Sequence, residues 1–392
     1  MTRPLTVVQL LPALHSGGVE RSTVEIAQAL VAAGHRAVVV SAGGRLVPSL
    51  LDCGARHVRL DIASKSPWTL RNIPALRRVL TDTGADIVHA RSRLPAWLGW
   101  WALRGLPATQ RAHFVTTVHG LNSPSRYSQI MVRGERVICV SETVRDHVCK
   151  HYPDTDPARL LVIPRGIDLA SFSPDPHRLT GAGIGAIRAD LDRPCRADPD
   201  ARAAVAALHQ QLGGSGPLLL LPGRGTRLKG HHDALMLLGQ LRRAGMDARL
   251  WMPGAREPTR RRYIAELEAQ AVQTGCAQAL AITAPTSAIA QAYAASDLVL
   301  QLSRKPEAFG RTVLEALAIG RPVLGWAHGG VGELLGELYP AGAVAPFDAE
   351  ALVRTAVTLL QHPPSPPATI PYTLQAMQRA TLAVYSELVN RP

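Results

Sequence analysis

Glu307 and Glu315 have seven residues between them in Pro306-Glu-Ala-Phe-Gly-Arg-Thr-Val-Leu-Glu315-Ala, where a short loop runs into a helix. A loop carboxylate can meet one part of a sugar nucleotide there while a helical carboxylate, roughly two turns further on, meets another. Backbone N–H groups near Gly310 and Arg311 have no intrahelical partner and favour a diphosphate. A plainer reading fits the same residues. Thr312 and Glu315 match a capping box, with Thr312 taking an orphan N–H and Glu315 reaching back. That box needs neither Glu307 nor the Phe309-Gly310 pair.

Three further loops carry residues suited to a phosphorylated sugar. Leu221-Pro-Gly-Arg224-Gly-Thr-Arg227-Leu-Lys229-Gly230 offers a bidentate fork in Arg224 and a compact point charge in Lys229, a combination that neutralises a pyrophosphate leaving group. Cations ahead of a helix N-terminus oppose its dipole, so a purely structural reason for them is poor. In His15-Ser-Gly17-Gly18-Val-Glu20-Arg21 the glycines let backbone N–H groups approach an anion, although a tight turn uses glycine for its own sake. His119 of Val115-Thr-Thr-Val-His119-Gly120 ends a strand at the ligand edge, where packing histidines also occur. Gly325-Trp-Ala-His328-Gly329-Gly330 either makes a simple turn or opens a helix beside the same site.

The elements that must position these loops alternate short β-branched runs with helical patterns. Strands are expected at Leu5–Leu11, Ala37–Ser41, Ile87–Ala90, Phe114–Val118, Val137–Val140 and Leu161–Ile163. Val19, Thr23, Ile26, Ala27 and Leu30 make one apolar stripe on a first helix that Gly34 ends. After a Pro-, Gly-, Asp- and Arg-rich stretch with one helix at Asp200–Leu212, a second series begins at Leu218–Leu221. Its further strands are Ala248–Met252, Ala281–Thr283, Leu298–Leu302 and Pro322–Trp326. Strands and helices in this alternation read as two parallel, doubly wound α/β sheets, whose ligands sit at the carboxyl ends of the strands. The expected organisation is a first Rossmann-like domain over 1–170, a linker over 171–216 and a nucleotide-sugar domain over 217–370. A C-terminal helix within 371–392, striped by Leu374, Met377, Ala380, Val384 and Leu388, packs back on the first domain.

A chain of 392 residues exceeds what one core usually organises. With 46% hydrophobic and 19% charged residues it is globular rather than disordered. The net charge of +13 asks for acidic partners, but with 4% aromatics and no basic-aromatic platform nucleic acid has little support. Five scattered cysteines without a C-x-x-C pair argue for a reducing compartment and against a zinc site. The apolar run at the start is too short for a signal peptide, and no run is long enough to span a bilayer, so a cytoplasmic protein is expected. Arg71, Arg77, Arg78, Arg91, Arg93, Arg104 and Arg111 lie around Trp68, Trp97, Trp100 and Trp101, a mixture that suits an anionic membrane surface or an ordinary core with a solvated face. Asp154-Thr-Asp156, Asp190-Leu-Asp192 and Asp198-Pro-Asp200 lie in polar stretches without a preceding apolar strand and read as loop acids, not metal ligands.

Taken in order, Gly17-Gly18-Val-Glu20-Arg21, Ile87-Val-His89-Ala, Val118-His119-Gly120, Val140-Ser141-Glu142, Ile163-Pro-Arg165-Gly166-Ile-Asp168, Arg224 to Lys229-Gly230 and Glu307-x7-Glu315 resemble the GT-B-fold glycosyltransferases of the family-4 type. That large retaining family includes many lipopolysaccharide and exopolysaccharide enzymes, and its fold is a pair of Rossmann-like domains facing across a cleft. The resemblance implies that Arg224 and Lys229 hold the donor diphosphate, Glu315 the ribose and Glu307 the sugar ring, with Phe309, Gly310 and Arg311 beside them. It also implies His119 near the reacting sugar and Gly17 and Gly18 near the phosphate. Glu20, Arg91, Arg93 and Arg165 are the candidates for acceptor contacts. Many relatives have Asn where this chain has Arg165, which leaves that residue's role open between hinge and acceptor contact. The segment from His89 to Trp97 resembles a subgroup that includes lipopolysaccharide-core mannosyltransferases.

The expected activity is metal-independent, retaining transfer of a hexose from a nucleoside-diphosphate sugar to a saccharide or lipid-linked acceptor, with no cofactor. A phosphorylase or epimerase of the same fold is the alternative. A non-catalytic glycan- or lipid-binding protein is the alternative from a different class.

Overall fold

The computed structural model describes residues 3–15, 17–64, 66–172, 212 and 216–390. The helix expected at Asp200–Leu212 lies outside them apart from Leu212, and so do Cys195 and the Asp190-Leu-Asp192 and Asp198-Pro-Asp200 strings. The described parts of Met1–Gly166 and Leu374–Pro392 form one compact unit, and those of Ile167–Thr373 a second.

The first unit is a parallel sheet of β1 (Thr6–Leu10), β2 (Arg36–Ser41), β3 (Arg56–Arg59), β4 (Ile87–Ala90), β5 (His113–Val118), β6 (Arg136–Cys139) and β7 (Leu160–Val162). Its order is β3-β2-β1-β4-β5-β6-β7. All five residues of β1 and all four of β4 are buried, as expected for apolar strands covered on both faces. The C-terminal helix Leu374–Val389 lays Met377, Val384, Tyr385 and Leu388 into the core that the first helix, Gly18–Ala32, fills with Val24, Ile26, Ala27 and Leu30. Gln378 donates to the backbone oxygen of Glu25 at 2.8 Å, and Arg136 pairs with Glu387 at 2.6 Å, fixing that helix along its length.

In the second unit β8 (Leu218–Leu220), β9 (Arg249–Pro253), β10 (Leu280–Thr283), β11 (Leu298–Gln301), β12 (Val323–Trp326) and β13 (Ala343–Val344) are again all parallel, in the order β10-β9-β8-β11-β12-β13. Both sheets reverse their strand order once, between β1 and β4 in the first and between β8 and β11 in the second. The chain leaves the sheet in opposite directions at such a point and opens a crevice at the carboxyl ends of those two strands. The loop after β8 carries Arg224 and Lys229, and the loop after β11 carries Glu307.

Candidate functional site

In the second unit the two loops at the reversal meet. Lys229 Nζ lies 2.6 Å from Glu307 Oε1, with each side chain 27% exposed. Gln301, the last residue of β11, donates to Glu307 Oε2 at 3.1 Å, and the Ser303 hydroxyl donates to Oε1. Burial alone would raise the Glu307 pKa, but the Lys229 cation and the hydrogen bonds from Lys229, Ser303 and Gln301 outweigh it and hold the carboxyl below its ordinary value. Glu307 is therefore an anion with its hydrogen-bonding capacity largely taken up, and Lys229 is oriented by it. Arg224 differs: it is exposed, and its guanidinium makes no hydrogen bond or ion pair among the described residues.

The helix Arg311–Ala318 follows that loop, and its N-cap is Gly310, at φ 142°. A side chain rarely adopts that backbone conformation, so the position calls for glycine. The capping box on Thr312 and Glu315 does not form, because Thr312 already lies inside the helix and no side chain caps its start. Glu315 is buried, accepts from the Tyr293 hydroxyl at 2.9 Å and faces Arg311 Nε at 3.5 Å. Phe309 is buried edge-on against Tyr372.

The glycines after β12 also have a packing role. Gly329 and Gly330 run against the carboxylate loop, where the Gly330 N–H donates to the Glu307 carbonyl at 2.8 Å. A Cβ on Gly330 would fall 2.5 Å from the Cα of Phe309, so both glycines are needed for backbone to touch backbone. His328 Nε2, 2.7 Å from the Ser303 carbonyl, ties the same two loops.

The first unit has its own pocket at the β1–β4 reversal, about 280 Å³ in volume, where Glu20, Arg91, Arg93, Thr117, His119 and Asn122 supply polar groups to the lining. Here the cations are held from behind. Arg91 is 3% exposed and donates to Gln9 Oε1 at 2.8 Å and to the Ser22 hydroxyl at 3.1 Å. Arg165 is 8% exposed, donates to the same hydroxyl at 2.6 Å and also donates to His119 Nδ1. Burial first, then Arg165, Arg91 and His89, push the His119 pKa well below its ordinary value. The ring is neutral, and with Nδ1 acting as an acceptor its hydrogen sits on Nε2. It can donate to a hydroxyl but has no free lone pair to act as a base. His89, fully buried, lies 2.6 Å from both the Tyr385 and Thr117 hydroxyls and is likewise kept neutral.

Arg93 stacks over Tyr127 at 5.2 Å and reaches the Ser128 hydroxyl at 3.2 Å. Gly17 and Gly18 are exposed at the start of the first helix, where the Glu20 carboxylate folds back so closely that a Cβ on Gly17 would lie 2.5 Å from its oxygen. This helix start carries its own anion. Asp156 caps a short turn through the Ala158 N–H at 2.9 Å, which accounts for one acid of the Asp154-Thr-Asp156 string.

Residue-type reasoning did not single out Gln301, Ser303, Tyr293, Gln9 or Ser22. The usable signal was position: Gln301 and Ser303 follow an apolar strand at a reversal point, where uncharged polar residues orient charged ones.

Residues 16–171 match the model for Glycosyltransferase Family 4, and residues 209–375 match that for Glycosyl transferases group 1. Both halves of the chain are glycosyltransferase domains. A solved glycosyltransferase from Rickettsia africae superposes over 100% of both chains, with a TM-score of 0.80 and 26% identity. The Anabaena protein HepE, solved in complex with UDP-glucose, covers 98% of this chain and 95% of its own at a TM-score of 0.72 and 19% identity, a likeness of fold alone. A D-inositol 3-phosphate glycosyltransferase of Actinosynnema mirum is 28% identical over 275 residues, 63% of this chain. The match spans 57% of that relative's length. The two sheets are thus the Rossmann-like pair of the GT-B class.

Proposed function

We propose that this chain transfers a hexose from a nucleoside-diphosphate sugar to a saccharide or lipid-linked saccharide, with retention and without a metal, in the synthesis of lipopolysaccharide or another cell-surface polysaccharide. The observation that carries the reading is the β8–β11 reversal, where Lys229 is oriented by Glu307 and Arg224 stands exposed on the adjoining loop. A diphosphate leaving group gains charge as the glycosidic bond breaks, so cations aimed at it stabilise the transition state more than the ground state. Arg224 and Lys229 supply that charge, Glu307 meets the sugar ring and Glu315 the ribose.

The departing phosphate oxygen accepts the acceptor's proton from the face it leaves, which gives retention without a protein nucleophile. His119 serves as a neutral donor to a hydroxyl, since its accepting nitrogen is already engaged by Arg165. The lipopolysaccharide role rests on the sequence resemblance. The acceptor is assigned to the first unit's pocket because that concave site presents Arg91, Arg93 and His119 together.

Nucleoside-diphosphate release from UDP-, GDP- and ADP-sugars by the purified chain, with and without a saccharide acceptor, tests the reading. Turnover that needs free phosphate would point to a phosphorylase, and donor binding without turnover to a non-catalytic protein. Among the described residues no helix is long and apolar enough to cross a membrane. The proposed location is cytoplasmic, with peripheral attachment to the inner face of the membrane.

A further inference from the structure

Residues 87–134 contain six arginines and neither Asp nor Glu. This run folds into β4, the helix Arg93–Arg104, β5 and the short turn Ser128–Val132. Beside that helix lies an apolar groove of about 530 Å³ whose lining includes Leu70, Trp97, Trp101 and Tyr127, with Arg126 and Arg133 at its edge. Trp68 (63% exposed), Leu70 (46%), Tyr127 (45%) and Trp101 (37%) are four of the eight large hydrophobic residues exposed among the described residues. Half of those exposed large hydrophobic residues therefore lie in or next to this arginine-rich, carboxylate-free run.

We propose that this groove and its arginine rim dock the first unit on an anionic lipid surface. Cation and indole occur here as pairs: the Arg71 guanidinium lies 3.4 Å over Trp68, Arg104 4.6 Å over Trp100, and Arg133 5.6 and 5.2 Å over Trp97 and Trp100. Such pairs put positive charge and amphipathic rings in one layer, which matches the phosphate and upper acyl region of a bilayer.

The structure also separates the arginines that can serve from those that cannot. Arg91 is buried, Arg77 donates to the Ala102 carbonyl at 3.4 Å, and Arg111 donates to the Leu106 carbonyl at 2.9 Å. Arg71, Arg104, Arg126 and Arg133 are exposed beside the tryptophans and the groove; Arg71 and Arg104 belong to the set the sequence puts forward, and Arg126 and Arg133 join it. The groove also adjoins the polar pocket, because Arg93 lines the pocket and stacks on Tyr127, which lines the groove. The docking claim does not depend on glycosyl transfer.

Co-sedimentation with phosphatidylglycerol–phosphatidylcholine vesicles, against phosphatidylcholine alone, tests it at low and high salt. The intact chain should partition at least about tenfold more strongly onto the anionic vesicles, with binding lost as salt rises. The double variant Trp68→Ser/Arg71→Glu, at exposed positions, and Arg126→Glu/Arg133→Glu should each abolish most of that binding, while circular dichroism and nucleotide-sugar thermal shifts stay unchanged. A blue shift of tryptophan emission on anionic vesicles should accompany binding. Equal partition onto both vesicle types overturns the proposal. So does binding that survives both double variants, or an affinity for DNA that matches the anionic vesicles and ignores the tryptophan change. Retained docking with no donor turnover would leave this proposal standing and remove the glycosyltransfer reading instead.

Discussion

The two strand-reversal sites in this chain use cations in opposite ways. In the first unit Arg91 and Arg165 are buried and share the Ser22 hydroxyl, and burial first, with their charge added to it, keeps His89 and His119 neutral. In the second, Lys229 is partly open and held by one carboxylate, and Arg224 is exposed. A buried, hydrogen-bonded guanidinium shapes a pocket and is costly to remove; an open one is available to a ligand and costs little to the fold. Residue type alone does not separate these cases, and exposure does.

The largest expected effect lies in the second unit. Lys229→Ala and Arg224→Ala should each lower turnover by roughly 10²–10³-fold, the scale for removing one preorganised group that stabilises transition-state charge. Arg224→Ala should leave thermal stability within about 0.5 kcal/mol of the parent, as surface changes usually do. A comparable loss of stability and activity in Arg224→Ala would erase the distinction between the two sites.

The converse belongs to the first unit, where Arg91→Ala or Arg165→Ala should destabilise by roughly 3 kcal/mol, because the first takes its hydrogen bond from Gln9 Oε1 and the second from His119 Nδ1. Denaturant titration checks this. If either variant melts like the parent, the network is not structural.

Within the second unit, Glu307 and Glu315 should separate kinetically. Glu315→Ala should raise the donor KM by about tenfold with a smaller change in kcat, since a ribose contact persists from ground to transition state, whereas Glu307→Ala should mainly lower kcat. Steady-state kinetics on one donor settles the order, and identical profiles for both variants would contradict the assigned roles.

Much of the fold was legible because the inner strands are uninterrupted apolar runs. Ile87–Ala90 has the expected ends, and the other expected strands differ by one residue at one or both ends. The strand Arg56–Arg59 was not legible: it lies at the sheet edge with only Val58 as an apolar residue, so no hydrophobic pattern marks it. Ala343–Val344, at the other sheet's edge, escaped because two residues are too few to show a period.

At the site, residue type and spacing pointed to Lys229 and Glu307 as two separate ligand contacts. The strand order brings their loops side by side, and the 2.6 Å contact shows that they pair with each other. The capping reading of Thr312 failed because the backbone at Gly310 takes a left-handed φ that places the N-cap two residues earlier than that reading requires.

A further effect is on pH dependence. Burial, with smaller contributions from Lys229 and His232, lowers His231 to about 4 against the hydrogen bond its ring donates to the Thr226 carbonyl. Its stabilisation is complete above the unfolded value near 6.5 and is lost as pH falls towards 4, because the unfolded chain takes up a proton that the folded one refuses. Stability should drop by roughly 2 kcal/mol from this residue between pH 7 and pH 5, with His89 and His119 adding in the same direction. His231→Gln should flatten part of that slope in thermal melts. A melting temperature that does not fall between pH 7 and pH 5 would contradict the neutral-histidine assignment.

In the proposed reaction the exposed Arg224 and half-open Lys229 of the second unit, rather than a metal, carry the charge of a departing nucleoside diphosphate. Release of nucleoside diphosphate from a panel of UDP-, GDP- and ADP-sugars, measured in EDTA for the parent chain and for Lys229→Ala, tests it most directly. One donor should be turned over at the same rate with and without EDTA, and Lys229→Ala should lose that rate by roughly a hundredfold or more. Turnover abolished by EDTA and restored by Mg²⁺ or Mn²⁺, or a Lys229→Ala rate equal to that of the parent, would contradict it.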